Sequence, residues 1–324
     1  MSGPRGEGLL DRVREASAEV ARRARQVKID DGALEQLAAL LSRERPVPPR
    51  RDPVHAGFDD PATTLAFVFT MNAINFGSGW FPHLRKRAGK SGYLTLSAAL
   101  REHFEKHGPW RATELRALTR ADCAEVFGQP GDGPAAELMG LYAEALNELG
   151  DTLAGTYQGR FAGPVEEAAG CAEALVAILA RMSFYRDVAH YDGFDVPFYK
   201  RAQITAADLH EAFGGSGPGQ FRDLDRLTLF ADNLVPHTLR MLKVLVYDLR
   251  LDLAIERGDL LPAGSEAEVE IRAVALTAVE RLSASCRRRG WQADPHRLDA
   301  LLWSRGQSPR IKATPRHRTR CTFY

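Results

Sequence analysis

The chain has 324 residues, 44% hydrophobic and 26% charged, and its 43 Lys and Arg balance 42 Asp and Glu to a net charge of +1. That length can bury a substantial core, the composition is that of a soluble globular protein, and near-neutrality leaves no global field to draw the chain onto nucleic acid or a lipid surface. The four cysteines, Cys123, Cys171, Cys286 and Cys321, form no C-x-x-C pair, which argues against a zinc ribbon and against a disulfide scaffold.

Helical periodicity dominates the chain. Leu9 to Val27 reads as an amphipathic helix with Val13, Val20 and Ala24 on one face. Asp30-Asp31 starts a second helix that runs to about Leu41. The Arg- and Pro-rich segment from Arg45 to Pro53 reads as an extended connector. Asp59-Asp60-Pro61 is a helix start, with Asp as N-cap and Pro at the first helical position, leading into the mostly apolar Thr63 to Ile74. Short helices are predicted over Leu94 to His107, Glu114 to Leu118 and Arg120 to Phe127, with Thr113, Thr119 and Asp122 as caps. Longer ones are predicted over Pro134 to Thr156, Val165 to Arg181, Pro236 to Arg257 and Glu266 to Arg289. Phe194 to Tyr199 has the composition of a short strand. No internal repeat is present. The expectation is an all-α, mainly helical fold with at most a short strand or two. An N-terminal helical pair over residues 1–45 packs on a helical body over residues 54–324, the two forming one compact unit.

No apolar run approaches the about 18 residues of a membrane span, and Met1 to Val13 lacks the apolar stretch of a signal peptide. The expectation is a cytoplasmic chain with no membrane partner.

Two blocks stand out chemically. Phe198-Tyr199-Lys200-Arg201-Ala202-Gln203-Ile204 packs two aromatics, two cations and an amide together. In Thr228 to His237 a lone carboxylate, Asp232, sits in a largely apolar stretch. Desolvating a carboxylate costs several kcal/mol unless a partner offsets it, so Asp232 either caps the helix that starts near Pro236 or performs chemistry. Lys200 and Arg201 are adjacent and point in different directions, so one of them is expected to meet an anionic ligand while the alternative is a solvated pair. His103 and His107 share a helix face, but Phe104 stands where a metalloprotease helix has Glu. No third ligand is marked and no metal is expected. Glu268 and Arg272 form an i, i+4 pair at a helix start and read as structural. The tail from Arg305 to Arg320 carries six Lys and Arg with His317 and no acidic residue.

Four segments together resemble the queuosine salvage family of queuosine 5′-phosphate N-glycosylases. They are Asn72-Ala73-Ile74-Asn75-Phe76, Phe198-Tyr199-Lys200-Arg201-Ala202-Gln203, Leu229-Phe230-Ala231-Asp232 and Glu268-Val269-Glu270-Ile271-Arg272, followed by His317-Arg318-Thr319-Arg320 and Phe323-Tyr324. The chain departs from the pattern in two places. It reads Asn75-Phe76-Gly77-Ser78-Gly79-Trp80 in place of an Asn-Phe-x-Phe-Trp run, and His237 follows Pro236 in place of Gln.

The resemblance implies an all-helical fold similar to that of DNA glycosylases, and hydrolysis of the N-glycosidic bond of queuosine 5′-monophosphate to queuine and ribose 5-phosphate, with no cofactor. Breaking a ribosyl C–N bond builds positive charge at C1′, and one carboxylate there can stabilise it and activate water. The resemblance gives Asp232 that role. Lys200, following two aromatics, is the first choice for the 5′-phosphate, with Arg201 as the second; the tail either reaches in with Arg316, His317, Arg318 or Arg320 or stays solvated and partly disordered. Phe198, Tyr199, Phe76 and Trp80 can stack on a flat base, at about 1–3 kcal/mol per base, although core packing explains each equally well. A 7-deaza base has no N7 to protonate, and Asn75, Asn72, Asp195, His237 and Glu102 stay open as groups assisting its departure. Two other functions stay open as well: a nucleic-acid base glycosylase, and a non-catalytic binder of queuine or a related nucleotide.

Overall fold

The computed structural model describes residues 8–47 and 53–324. The part of the expected connector at residues 48–52 and the start of the N-terminal segment at residues 1–7 lie outside the described residues. In chain order the elements are α1 (Leu9–Arg23), β1 (Val27–Ile29), α2 (Asp31–Glu44), α3 (Pro61–Ala73), α4 (Gly92–His107), α5 (Ala112–Leu115), α6 (Arg120–Val126), α7 (Gly133–Tyr157), α8 (Gly163–Ala168) and α9 (Ala172–Leu179). There follow β2 (Val188–Tyr191), β3 (Phe194–Pro197), α10 (Lys200–Ala212), α11 (Leu234–Met241), β4 (Leu245–Tyr247), α12 (Leu249–Arg257), α13 (Glu266–Arg288), α14 (Pro295–Gly306) and α15 (Pro309–Ala313). The fold is mainly helical, as its periodicity predicts, with two small two-stranded sheets among the described residues. Among the described residues no helix is long and apolar enough to cross a membrane.

The chain divides into two compact units. The first takes the described residues before 48 together with Asp187–Lys200 and Asp225–Arg320, and the second takes those from Pro53 to Arg186 with Arg201–Leu224 and Cys321–Tyr324.

The first unit is built on α13. Ser265 caps this helix by accepting the Glu268 amide, Glu266 and Glu268 occupy its first turn and Arg287 and Arg288 its last, each charge favouring the dipole end it sits on. Leu10, Val13, Ser17 and Val20 bury one stripe of α1, at the spacing of a single helix face, and α1 and α2 both pack on α13. Sequence periodicity carries α1 to Val27, but it ends at Arg23. The reason lies on α13: the Glu270 carboxylate accepts the amides of Arg25 at 3.0 Å, Gln26 at 2.7 Å and Val27 at 3.1 Å, and the Tyr191 hydroxyl at 2.9 Å. The chain is thereby turned into β1, which pairs antiparallel with β4 from Val27 opposite Tyr247 to Ile29 opposite Leu245.

The long helix expected over Pro236 to Arg257 is three elements instead. Lys243 turns left-handed at φ 62°, the Val244 amide bonds back to the Leu239 carbonyl at 2.9 Å, and α11 stops. The run Val244-Leu245-Val246-Tyr247 then suits a strand, and Asp248 restarts a helix by accepting the Leu251 amide at 2.7 Å. The strand expected over Phe194 to Tyr199 is β3, closed on β2 by Asp192 at φ 46° and Gly193 at φ 90°, the Asp-Gly pair that a tight hairpin selects.

In the second unit α3 begins as the sequence predicts, with Pro61 at the first turn and Asp60 accepting the Thr63 amide at 2.9 Å. It is buried on every side from Thr64 to Ala73. The 25-residue α7 carries α5 and α6. The helix expected over Val165 to Arg181 is broken at Ala169 and Gly170, both left-handed. Asp223 restarts it as α9, its carboxylate accepting the amides of Ala172 at 2.7 Å and Glu173 at 3.1 Å.

Candidate active site

Asp232 lies just ahead of α11 in the first unit, half-buried. Its Oδ1 accepts the amides of Leu234 at 2.8 Å and Val235 at 3.0 Å. Asp232 therefore caps α11, as one of the two sequence readings has it. Its Oδ2 takes no hydrogen bond among the described residues, so capping leaves one carboxylate oxygen for another use. Leu229, Phe230, Ala231, Leu234 and Val235 around it are buried, a dry flank that strengthens any charge interaction there. The chain is held at this point by the Phe230 amide donating to Asp299 at 3.2 Å and by Arg272 Nε donating to the Ala231 carbonyl at 3.0 Å.

Arg272 leads to Lys200 in the same unit. Its guanidinium forks onto Asp187 at 3.0 and 2.6 Å, with Glu268 at 3.5 Å, and its side chain is 2% exposed. Asp187 Oδ2 also accepts the Lys200 amide at 3.1 Å, and the Asp187 carbonyl accepts the amides of Phe198 at 2.8 Å and Tyr199 at 3.3 Å. Tyr199 stands at φ 50°, left-handed, a conformation an aromatic residue adopts only where its surroundings impose it. The Phe198 ring is buried with the Arg272 guanidinium 3.9 Å from its centroid, so one of its faces already carries a cation. Lys200 is buried at the start of α10. Sequence reasoning missed Asp187 altogether and read Arg272 only as a partner of Glu268. The one signal available was an isolated carboxylate, Asp187, a few residues ahead of the Phe198 block.

The basic tail docks within this unit as far as Arg320. The Leu261 amide bonds to the Arg318 carbonyl at 2.9 Å, Arg318 donates to the Gly258 carbonyl at 2.7 Å, and Arg240 donates to the Pro315 carbonyl at 3.2 Å. His237 is buried, its Nε2 3.0 Å from the Ile311 carbonyl oxygen. Burial lowers the Arg316 pKa from its usual value, and the negative charge of Asp232 acts against that lowering, which puts a cation beside the carboxylate. His317 is buried among Arg272, Arg316, His237 and Arg240, and burial first, then those cations, push its pKa down to about 3. His317 is thus a neutral imidazole at neutral pH, whereas Arg316 can serve a phosphate by charge. Arg320, half-exposed, closes this part of the tail.

Asp195 belongs to the hairpin turn region, with 80% of its side chain exposed beside His190 at 3.2 Å. Among the described residues it meets none of the groups above.

The other sequence candidates lie in the second unit. Asn72 and Asn75 form a small network: Asn72 Nδ2 donates to Asp208 at 2.8 Å, and Asn75 Nδ2 donates to Asn72 Oδ1 at 3.3 Å. Arg201 is buried, and donates to the carbonyls of Asn72 at 3.1 Å, Ala73 at 2.5 Å, Thr322 at 2.8 Å and Phe184. Its guanidinium lies 4.8 Å from the ring centroids of both Phe76 and Tyr185. Arg201 is thereby engaged with backbone oxygens. Phe76 packs edge-on to Tyr142 at 5.1 Å, and the Trp80 indole donates to Glu137 at 2.9 Å. The Gly77 amide donates to the carbonyl of the last residue, Tyr324, at 2.9 Å. Glu102 forks with Arg87 on the surface. His103 stacks on Trp110 at 4.2 Å, and among the described residues no group of three His, Cys, Asp or Glu side chains is arranged to hold a metal ion.

Residues 54–324 match the family described as queuosine salvage protein. The chain is 37% identical over 310 residues to the queuosine 5′-phosphate N-glycosylase/hydrolase of Sphaerobacter thermophilus, covering 94% of this chain and 95% of that protein. It is 30% identical over 346 residues to the protein of the same name from Bos taurus, covering 98% and 100%. A Mus musculus protein of that name is 28% identical over 334 residues, covering 96% and 98%. Matched over most of its length by the family and by full-length relatives, the chain belongs to the queuosine salvage protein family.

Proposed function

We propose that this chain is a cytoplasmic hydrolase that cleaves the N-glycosidic bond of queuosine 5′-phosphate, releasing queuine and ribose 5-phosphate. Full-length similarity to proteins of that name supports the reaction. The observation that carries the mechanism is the half-buried Asp232, with Oδ1 fixed by two amides and Oδ2 left over. As the C1′–N bond lengthens, positive charge grows on the ribose, and a carboxylate fixed beside C1′ in a dry flank stabilises it without reorganising. The same carboxylate takes a proton from the attacking water. The water oxygen ends on C1 of ribose 5-phosphate, and one proton ends on the base nitrogen that leaves.

Lys200 meets the 5′-phosphate, with Arg316 as a second cation, and Tyr199 flanks the base. A net charge of +1 favours a free nucleotide over a nucleic-acid duplex as substrate, since duplex binding needs a basic face.

The test is release of queuine from queuosine 5′-phosphate by the purified protein, beside guanosine 5′-phosphate and beside the Asp232→Asn variant. Turnover of the queuosine nucleotide alone, lost in a folded Asp232→Asn protein, is expected. Binding of queuine without turnover by either protein would make the chain a binder instead.

A further inference from the structure

The two segments that bear the proposed catalytic groups of the first unit hang on one buried ion pair. Arg272 gives both terminal nitrogens to Asp187, at 3.0 and 2.6 Å, and keeps Nε for the carbonyl of Ala231, the residue before Asp232, at 3.0 Å. Asp187 in turn accepts the amide of Lys200 on its side chain at 3.1 Å, and the amides of Phe198 and Tyr199 on its carbonyl at 2.8 and 3.3 Å. The Phe198 ring lies under the guanidinium at 3.9 Å.

A buried ion pair adds little to stability compared with well-packed apolar residues, so stability alone is a weak reason for one here. The directions of its hydrogen bonds supply a better one. Beyond the pair itself and Glu268, its bonds run to Ala231, on the Asp232 side, and to Phe198, Tyr199 and Lys200, where Tyr199 is held left-handed at φ 50°. We propose that Asp187 and Arg272 are the positioning residues of the reaction, a rigid bridge that sets the separation between the carboxylate of Asp232 and the cation of Lys200. The bridge fits a substrate whose reacting carbon and phosphate lie a fixed distance apart, as C1′ and the 5′-phosphate of a nucleoside monophosphate do. This inference rests on the roles proposed above for Asp232 and Lys200.

The experiment compares Arg272→Lys, Asp187→Asn and, as a structural control, Glu270→Gln. Lysine keeps a charge for Asp187 but loses the planar fork and the Nε donor, so Asp232 is released while the Asp187 tie to Lys200 remains. A displacement of about 1 Å at a reacting group costs about 100-fold, so kcat of Arg272→Lys is expected to fall by that order with KM for queuosine 5′-phosphate little changed. Asp187→Asn loosens Lys200 as well, and is expected to raise KM for the nucleotide and to shrink its preference over free queuosine. Glu270 is equally buried and holds backbone amides of the same unit, but is tied to neither segment. Its variant is expected to lower the unfolding temperature and leave kcat as in the parent.

Folded Arg272→Lys and Asp187→Asn proteins with parental kcat, KM and nucleotide preference would overturn the proposal. So would a kcat loss in Glu270→Gln equal to theirs at matched stability, or failure of both bridge variants to fold, which would assign the pair to stability. Activity surviving in Asp232→Asn, or absent from the parent, would instead sink the reading on which the bridge rests.

Discussion

Val235 donates its amide to Asp232 Oδ1 at 3.0 Å, and Leu234 shares the same oxygen at 2.8 Å. Capping thereby occupies one oxygen of the side chain and leaves the other for the proposed chemistry, so substitutions can separate the two. Asparagine retains an Oδ1 acceptor, so Asp232→Asn is expected to unfold within about 0.5 kcal/mol of the parent, asparagine capping as well as aspartate. Its hydrolysis should fall at least about 100-fold, the order seen when one transition-state-stabilising group is removed. Asp232→Ala should lose as much activity and, in addition, about 1 kcal/mol of stability. Urea unfolding beside a queuine-release assay reads both, and a stable, inactive asparagine variant is the expected signature.

Lys200 is the cation that the proposed function sets at the phosphate, and Arg201 is bound to four carbonyl oxygens. A charge-assisted hydrogen bond contributes about 1.5–3 kcal/mol, so Lys200→Met should lower kcat/KM for queuosine 5′-phosphate about 10- to 100-fold. Free queuosine, which has no phosphate to lose, should be turned over as by the parent. Equal losses on both substrates would remove Lys200 from the phosphate.

These groups were legible in the sequence to different depths. Asp232 and Lys200 stood out because a carboxylate in an apolar run and cations beside aromatics are local anomalies. Asp60 with Pro61 located a helix start to the residue, since a cap is read from neighbours in sequence. What was not legible depends on residues far apart in the chain. The end of α1 is set by Glu270 and the start of α9 by Asp223, and neither carboxylate is near in sequence to the helix it governs. Asp187 acquires its meaning only when folding brings Arg272 to it. The Asp192-Gly193 turn and the Lys243 stop were readable in principle, but the helical pattern on either side of Lys243 masked the short β4 between α11 and α12.

Gly306 closes α14 against α11. A Cβ there would lie 2.6 Å from Thr238 Oγ1 and 2.9 Å from Leu234 Cγ, and the Thr238 hydroxyl is already donating to the Leu234 carbonyl at 2.9 Å. Alanine would gain about 1 kcal/mol of helix propensity over glycine, but overpacking costs about 1–3 kcal/mol. Gly306→Ala is therefore expected to be net destabilising. It should lower kcat too, because the displaced Leu234 amide is one of the two that hold Asp232. Thermal unfolding and a rate measurement on the same preparation check this, and a stabilised variant of parental activity would contradict it.

Glu270 is fully buried and satisfies three backbone amides and the Tyr191 hydroxyl. Glu270→Ala strands all four donors, at about 1–3 kcal/mol for each one left unsatisfied. A loss of at least about 3 kcal/mol is expected after partial relaxation and entry of water. Glu270→Gln keeps one acceptor oxygen and should lose less. Denaturant midpoints of the two variants give the comparison, and an alanine variant as stable as the glutamine one would show that Glu270 does not set the end of α1.

His317 makes the stability of the fold depend on acid. Burial, with the charges of Arg272, Arg316, His237 and Arg240 around it, holds its pKa at about 3, against about 6.5 in an unfolded chain. Between those values the unfolded chain binds a proton that the folded one refuses, so stability rises with pH there. The contribution is complete above about pH 6.5 and is lost progressively as pH falls through the window towards the folded value, at up to about 1.4 kcal/mol per pH unit. His317→Gln removes the titrating ring and should flatten that dependence without altering the carboxylates that titrate at lower pH. Unfolding temperatures of parent and variant at pH 7, 6 and 5 are expected to diverge in slope, the parent falling more steeply. Parallel curves would mean that His317 accepts its proton in the folded state, and that the tail opens to admit it.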